Sequence, residues 1–269
     1  MNRPSTINPQ LSTQLHLFIF TVIIVIVISS CSYKAENTNP FLVKSIDTLY
    51  LMEGYEYIAI NSNTINLCDP VAGDIAQYTS RGLNTITLNP YSQIRFTDEH
   101  IHFISNNDWK LHILDYSGRE LSVRDIPSYN DYYCPLNMND YITFDPSSGE
   151  IYYKTGSIVK TYNTDRLFPF YDDIDCSNSM IGIKENDKVY AMDHKGQIKH
   201  TYEVSDNSKF ALTQTGIITL ENTSTVKVYT YYEDSTVYAS DDYYTDIDYD
   251  NYKAVIYNRQ TGQAVLIRF

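Results

Sequence analysis

Three imidazoles fall in one short stretch, His100, His102 and His112. Side chains alternate along a strand, so His100 and His102 share a face. A turn over residues 106–108 would set His112 opposite His102, and three imidazoles on one face would hold zinc or copper. The competing reading puts them on a solvated or inter-sheet face, interleaved with the core residues Ile101, Phe103, Leu111 and Ile113. A second constellation is Asp246, Asp248 and Asp250. Carboxylates at alternate positions resemble the opening of a calcium loop, which also needs Gly at position six and Glu at position twelve. Those positions hold Asn251 and Tyr257, and the same alternation fits a strand with one acidic, wet face. Asp172-Asp173-Ile174-Asp175 reads as a polar loop.

Nucleophilic catalysis finds no signature. The chain has no GxSxG, SxxK or HExxH motif, and Cys68, Cys134 and Cys176 have no neighbouring histidine. No cofactor is called for. These three cysteines are far apart, and an odd number allows at most one intramolecular pair. Their simplest role is that of small, partly buried apolar side chains.

The fourth cysteine has a more specific context. Leu17–Ile28 is apolar except for Thr21, too short to span a bilayer but the right length for the core of a signal peptide. Ile28-Ser29-Ser30-Cys31 follows. An aliphatic residue and two small ones before a cysteine resemble the bacterial lipobox, in which the thiol takes a diacylglyceryl group and cleavage makes the cysteine the new N-terminus. Residues 1–30 are then a lipoprotein signal peptide, residues 31–40 a lipidated polar tether, and residues 41–269 the folded domain. Several acyl chains, palmitate among them, would anchor Cys31 stably in a membrane. The position directly after Cys31 is Ser32 and not Asp, which by resemblance to proteobacterial sorting implies the outer membrane, with the domain facing the periplasm.

Removing residues 1–30 takes away one basic and no acidic residue and leaves 239 residues. With 19 basic and 33 acidic side chains, their net charge is −14. That acidity excludes nucleic acid as a partner, because phosphate binding needs basic patches.

Strands must position all these groups, since no long window carries a helical apolar period. Tyrosine makes up 26 of the 269 residues, and with Ile, Val and Thr it fills the periodic stretches. A grammar of strand, Gly-containing turn and strand recurs, with Asp69, Asp115, Asp193 and Asn258 each opening a turn. Their spacings are 46, 78 and 65 residues. The two longer gaps leave room for one more unit each, around Gly149–Asn163 and Thr225–Tyr238. Six units of about 40 residues match the period of four-stranded propeller blades. The last unit holds only three strands, so Leu42–Met52 is expected to join it and close the ring. Five or seven blades, or a sandwich, are the alternatives, because residues 162–193 look compressed.

The lipobox and units such as Ile101–Glu120 resemble the six-bladed β-propeller lipoproteins of Bacteroidota, of the TolB-like and NHL-like kind. The resemblance covers residues 42–269 and implies an all-β fold more than an activity. The expected function is that of a membrane-anchored envelope lipoprotein whose propeller binds a protein or glycan partner. Tyr129, Tyr132, Tyr133, Tyr231, Tyr232, Tyr243 and Tyr244 are the candidate binding residues, since tyrosine pairs a flat face with a polar tip. The alternatives are a metal-binding envelope protein, or a propeller enzyme of polysaccharide metabolism, a glycosidase or lyase. The enzyme would need carboxylates converging in the central channel.

Overall fold

The computed structural model describes residues 41–126, 131–231 and 233–269, and among them there is no helix. The export segment, Cys31, the tether, Tyr129 and Tyr232 lie outside the described residues.

The chain enters on β1 (Ser45–Tyr50) and then builds blades in order. Blade 1 is β2 (Tyr57–Asn61), β3 (Thr64–Asp69), β4 (Asp74–Thr79) and β5 (Gly82–Thr87). Blade 2 is β6 (Tyr91–Phe96), β7 (Ile101–Ser105), β8 (Leu111–Leu114) and β9 (Glu120–Arg124). Blade 3 is β10 (Tyr132–Pro135), β11 (Tyr141–Asp145), β12 (Glu150–Thr155) and β13 (Ile158–Asn163). Blade 4 is β14 (Asp173–Cys176), β15 (Met180–Glu185), β16 (Lys188–Asp193) and β17 (Ile198–Glu203). Blade 5 is β18 (Lys209–Leu212), β19 (Gly216–Glu221), β20 (Thr225–Thr230) and β21 (Asp234–Ala239). Blade 6 has β22 (Asp246–Asp250), β23 (Lys253–Tyr257) and β24 (Gln263–Arg268), completed by β1 in the order β1-β24-β23-β22. All six sheets are four-stranded and antiparallel, and Ser45 pairs with Arg268 as the ring closes. The fold is a six-bladed β-propeller closed by its N-terminal strand.

Burial explains the residue types. The middle strands β7 and β19 are buried at every position, because each blade is covered on both faces by its neighbours. The outer strands β9 and β13 are mostly exposed. The core is therefore a set of layers between blades. Between blades 3 and 4, Ile142, Phe144 and Ile151 meet Phe168, Ile181, Ile183 and Met192.

The turn grammar marks two different turns. Asp69, Asp145 and Asn258 follow the second strand of their blades, and each carbonyl accepts the N–H of a glycine four residues on: Gly73, Gly149 and Gly262. Asp115 and Asp193 follow the third strand, with the glycine three residues on. The four sequence markers are thus out of phase with one another, which is why their spacings were uneven. Gly262 shows why glycine is needed. Its φ is +67°, and an added Cβ would lie 2.3 Å from the Leu51 carbonyl oxygen.

A disulfide joins Cys134 on β10 to Cys176 on β14, with Cα atoms 6.1 Å apart. This corrects the reading of three plain thiols. Only Cys68 among these three is free, and it is buried.

Candidate functional site

The innermost strands β2, β6, β10, β14, β18 and β22 surround a central cavity of about 1040 Å³. Each contributes polar groups to it: Tyr57 from β2, Gln93 and Arg95 from β6, Tyr132 from β10, Asp173 and Asp175 from β14, Lys209 from β18, and Asp246, Asp248 and Asp250 from β22. Short side chains at alternate positions of an inner strand point to the axis, while Ile174 and Ile247 between them are buried between blades.

The innermost strand of a blade has one edge with no strand beside it, so its N–H groups need other acceptors. Side chains of the preceding blade supply them. Asp246 Oδ2 accepts from Ile58 N at 2.9 Å, Asp248 Oδ2 from Ile60 N at 2.7 Å and Asp250 Oδ2 from Ser62 N at 2.5 Å. These three bonds ascend both strands in step, so β22 and β2 run in the same direction. Asp175 Oδ2 does the same for Leu212 N at 2.7 Å. Gln93 accepts from Tyr133 N at 2.8 Å and donates to the Asp131 carbonyl at 2.7 Å. Tyr132 Oη donates to the Ile174 carbonyl.

The site is acidic despite two cations. Burial pushes the Asp246 carboxyl up to about 7, and the negative charge of Asp173 adds to the rise. Burial also raises Asp248 well above the usual carboxylate range, with Asp175 and Asp246 contributing repulsion. Asp173 and Asp175 are raised by burial too, moderated by Lys209 for the first and Arg95 for the second. Lys209 Nζ stands 3.8 Å from Asp173. Asp173 and Asp175 belong to strand β14, not to a loop as their spacing suggested. The DDxD run is short, and nothing in it distinguishes a four-residue inner strand from a turn.

The other sequence candidates scatter. His102 is fully buried between blades 2 and 3, with Nδ1 3.2 Å from Tyr133 Oη. Burial, aided by His100 and Arg124, lowers it to about 3. The β7–β8 register pairs His102 with Ile113 and Phe103 with His112, one residue away from the expected pairing. A one-residue slip flips the face. His112 therefore stacks on Phe103 and engages Glu120 and Asp108 at 2.9 and 3.1 Å, while His100 stays beside His102. The three imidazoles do not converge. Asp246, Asp248 and Asp250 share a face, but that face belongs to a strand and each carboxylate holds a backbone N–H. No cluster of His, Cys, Asp or Glu among the described residues is arranged to hold a metal ion.

Tyr133 and Tyr244 are buried and serve the core. Tyr132 is half-buried in the channel, beneath the Arg95 guanidinium. Tyr231 is exposed at a rim and stacks on His200 at 3.8 Å between ring centroids. Tyr243 is exposed.

No family model and no curated protein matches the sequence. Solved structures do match the fold. A gluconolactonase from Xanthomonas campestris superposes with a TM-score of 0.54 at 10% identity, over 83% of this chain and 89% of its own. A streptogramin B lyase gives 0.53 at 13%, over 79% and 80%. The Pan2 WD40 domain of Neurospora crassa gives 0.53 at 10%, over 80% and 89%. Identities this low establish the propeller architecture alone.

Proposed function

We propose that this chain is an exported, lipid-anchored envelope protein whose propeller binds a protein or glycan partner through one face. The single observation that carries the reading is the distribution of exposed aromatic and large apolar side chains. All the innermost strands start at one face of the ring, where the blade-to-blade links and the turns between second and third strands also gather. Tyr57, Val71, Trp109, Phe170, Tyr171 and Tyr243 are exposed there, with Phe170 82% accessible. Tyr57 and Tyr171 sit at the channel mouth itself. A face that exposes aromatic side chains, two of them at a polar opening, has the composition of a recognition surface.

The Cys134–Cys176 bridge supports export, because disulfides persist in oxidising compartments and are rare in a reducing cytosol. The carboxylates that meet in the channel are what a glycosidase or lyase would require, and they keep that second reading in view. Binding is favoured over turnover because Asp175, Asp246, Asp248 and Asp250 each spend an oxygen on a backbone N–H of the next blade. Holding those N–H groups gives the four carboxylates a structural role that does not require catalysis, while each keeps a second oxygen.

The test is photo-crosslinking in intact cells. A photoreactive phenylalanine replaces Tyr171 in one strain and Val159, on the outer strand of blade 3, in another. A discrete adduct from position 171 and none from position 159 is the expected result. No adduct from 171 above the 159 background would overturn the reading.

A further inference from the structure

Ser45, where β1 enters the ring, pairs with Arg268 at the end of β24. Along blade 6 the register sets that end beside Lys253 and Asp250, where β22 finishes. The inner strands all start on the other face, the one with the exposed aromatics. The chain therefore joins the ring on the face opposite the aromatic one, fourteen positions after Cys31.

Charge divides the same two faces. Among the described residues, the links and turns of the aromatic face hold eleven acidic and three basic side chains. Those of the entry face hold five acidic and four basic ones, the basic ones being Lys44, Arg81, Arg119 and Lys195. The entry face also exposes a tyrosine at a position that favours glycine. Tyr252 is 47% accessible and holds a φ of +61° in the two-residue turn between β22 and β23. Its carbonyl accepts the Phe269 N–H, which sets it at the end of β24, close to the Ser45 pairing.

We propose that the entry face lies against a phospholipid surface, with Tyr252 at headgroup level, and that the acidic, aromatic face points away from the bilayer. The proposal rests on the anchor at Cys31 and adds which face that anchor holds to the membrane. A link from the anchor reaches the ring at the entry face first. Anionic headgroups repel carboxylates within a Debye length, about 8 Å at physiological salt. The second strand of every blade runs five or six residues, roughly 17–20 Å, so the acidic face stands beyond that range when the entry face is inward. Turned over, the ring would press its acidic side on the headgroups. Tyrosine suits the membrane–water interface, with its ring against lipid and its hydroxyl in water. A partner of the aromatic face then approaches from the side away from the membrane.

Trp109 is the sole tryptophan of the chain and is exposed on the aromatic face, so it reports that face directly. The experiment takes the full-length gene product as cells process it, extracts it in detergent and reconstitutes it into vesicles of phosphatidylethanolamine and phosphatidylglycerol. Tryptophan emission is read after flotation, with and without a lipid that carries a nitroxide quencher on its headgroup. Two double variants move the probe to the entry face, Trp109→Phe with Tyr252→Trp and Trp109→Phe with Ser80→Trp. Ser80 is exposed in the turn between β4 and β5 and serves if the first variant does not fold. The expected result is a twofold or greater loss of emission from the entry-face probe and an unchanged signal from Trp109 in the parent. Trp109 quenched as strongly as the entry-face probe, or no probe quenched in protein that floats, would overturn the arrangement and leave the anchor standing. A parent that does not float with the vesicles would overturn the anchor, and the arrangement with it.

Discussion

Asp248 Oδ2 accepts the Ile60 N–H across the boundary between the last blade and the first. Asp246 and Asp250 repeat that contact one pleat away on either side, so three side chains replace a strand pairing on the channel wall. The ring is thus closed twice: by β1 on β24 at its rim, and by this carboxylate ladder at its axis.

The ladder makes a mutational prediction. Asp248→Ala leaves the Ile60 N–H without its acceptor and is expected to destabilise the fold by about 1–3 kcal/mol. Asp248→Asn keeps an accepting oxygen and should cost clearly less. Urea unfolding of the two variants beside the parent checks the order. Equal losses would mean that the charge, not the hydrogen bond, is what the seam uses.

Two groups give opposite pH trends. Asp246 titrates near 7 in the fold against 3.8 unfolded, so the folded state holds its proton more tightly between those values. Its contribution to stability is present at low pH and is lost as the pH rises towards 7. His102 titrates near 3 in the fold against 6.5 unfolded. The unfolded chain takes up that proton first, so stability falls as the pH drops from 6.5 towards 3. The two windows overlap between 3.8 and 6.5, where the opposite trends offset one another, so chemical denaturation from pH 4 to 8 should show stability rising more steeply with pH below 6.5 in Asp246→Asn and falling with pH over the same range in His102→Leu. A His102→Leu variant with the parent's acid limb would remove His102 from the explanation.

The Cys134–Cys176 bridge closes a loop spanning a sequence separation of 42 between the inner strands of two blades. Loop-closure entropy for that length is worth about 4 kcal/mol. The Cys134→Ala, Cys176→Ala double variant is expected to lose stability up to that amount in urea. Thiol labelling of the parent without reductant should leave Cys68 unmodified until denaturant is added, because the residue is buried and burial raises its thiol pKa far above neutral. Labelling at Cys134 or Cys176 in the folded protein would contradict the pairing.

Glycine positions separate conformation from contact. Gly54 has a φ of +89° with open space around it, while Gly262 has +67° and the Leu51 carbonyl 2.3 Å from any added Cβ. Gly54→Ala is expected to cost about 1–2 kcal/mol from backbone strain alone. Gly262→Ala should cost more, because the end of β1 must also move. Thermal unfolding of both variants, with Gly262→Ala melting lower, is the expected outcome.

Strand content was legible because it is local, and closure because the last unit came up one strand short. The alternation in Asp246–Asp250 and Lys253–Asn258 gave β22 and β23 to within a residue, and the missing fourth strand pointed to β1. The six-unit count also held, although its markers sit at two kinds of turn. Side-chain convergence was less legible, because it depends on register and on neighbours far away in sequence. His102 and His112 were separated by a single residue of pairing. Asp173 meets Asp246 only because blade 5, between their blades, brings the two inner strands around the axis. Cys134 and Cys176 are adjacent only because consecutive inner strands lie side by side.

Cys31 carries the anchoring half of the proposal, and it can be tested apart from the ring. If Ile28-Ser29-Ser30-Cys31 is processed as a lipobox, cells fed labelled palmitate will yield a labelled protein that partitions into detergent. Cys31→Ser should abolish the label and move the protein to the aqueous phase or leave it as an unprocessed precursor. The disulfide should form in either case if export precedes or bypasses lipidation, because Cys134 and Cys176 are more than 100 positions along the sequence from Cys31 and need only an oxidising compartment. A Cys31→Ser protein that still takes up palmitate would place the lipid elsewhere. An unlabelled parent protein with an intact bridge would keep the export reading and remove the anchor.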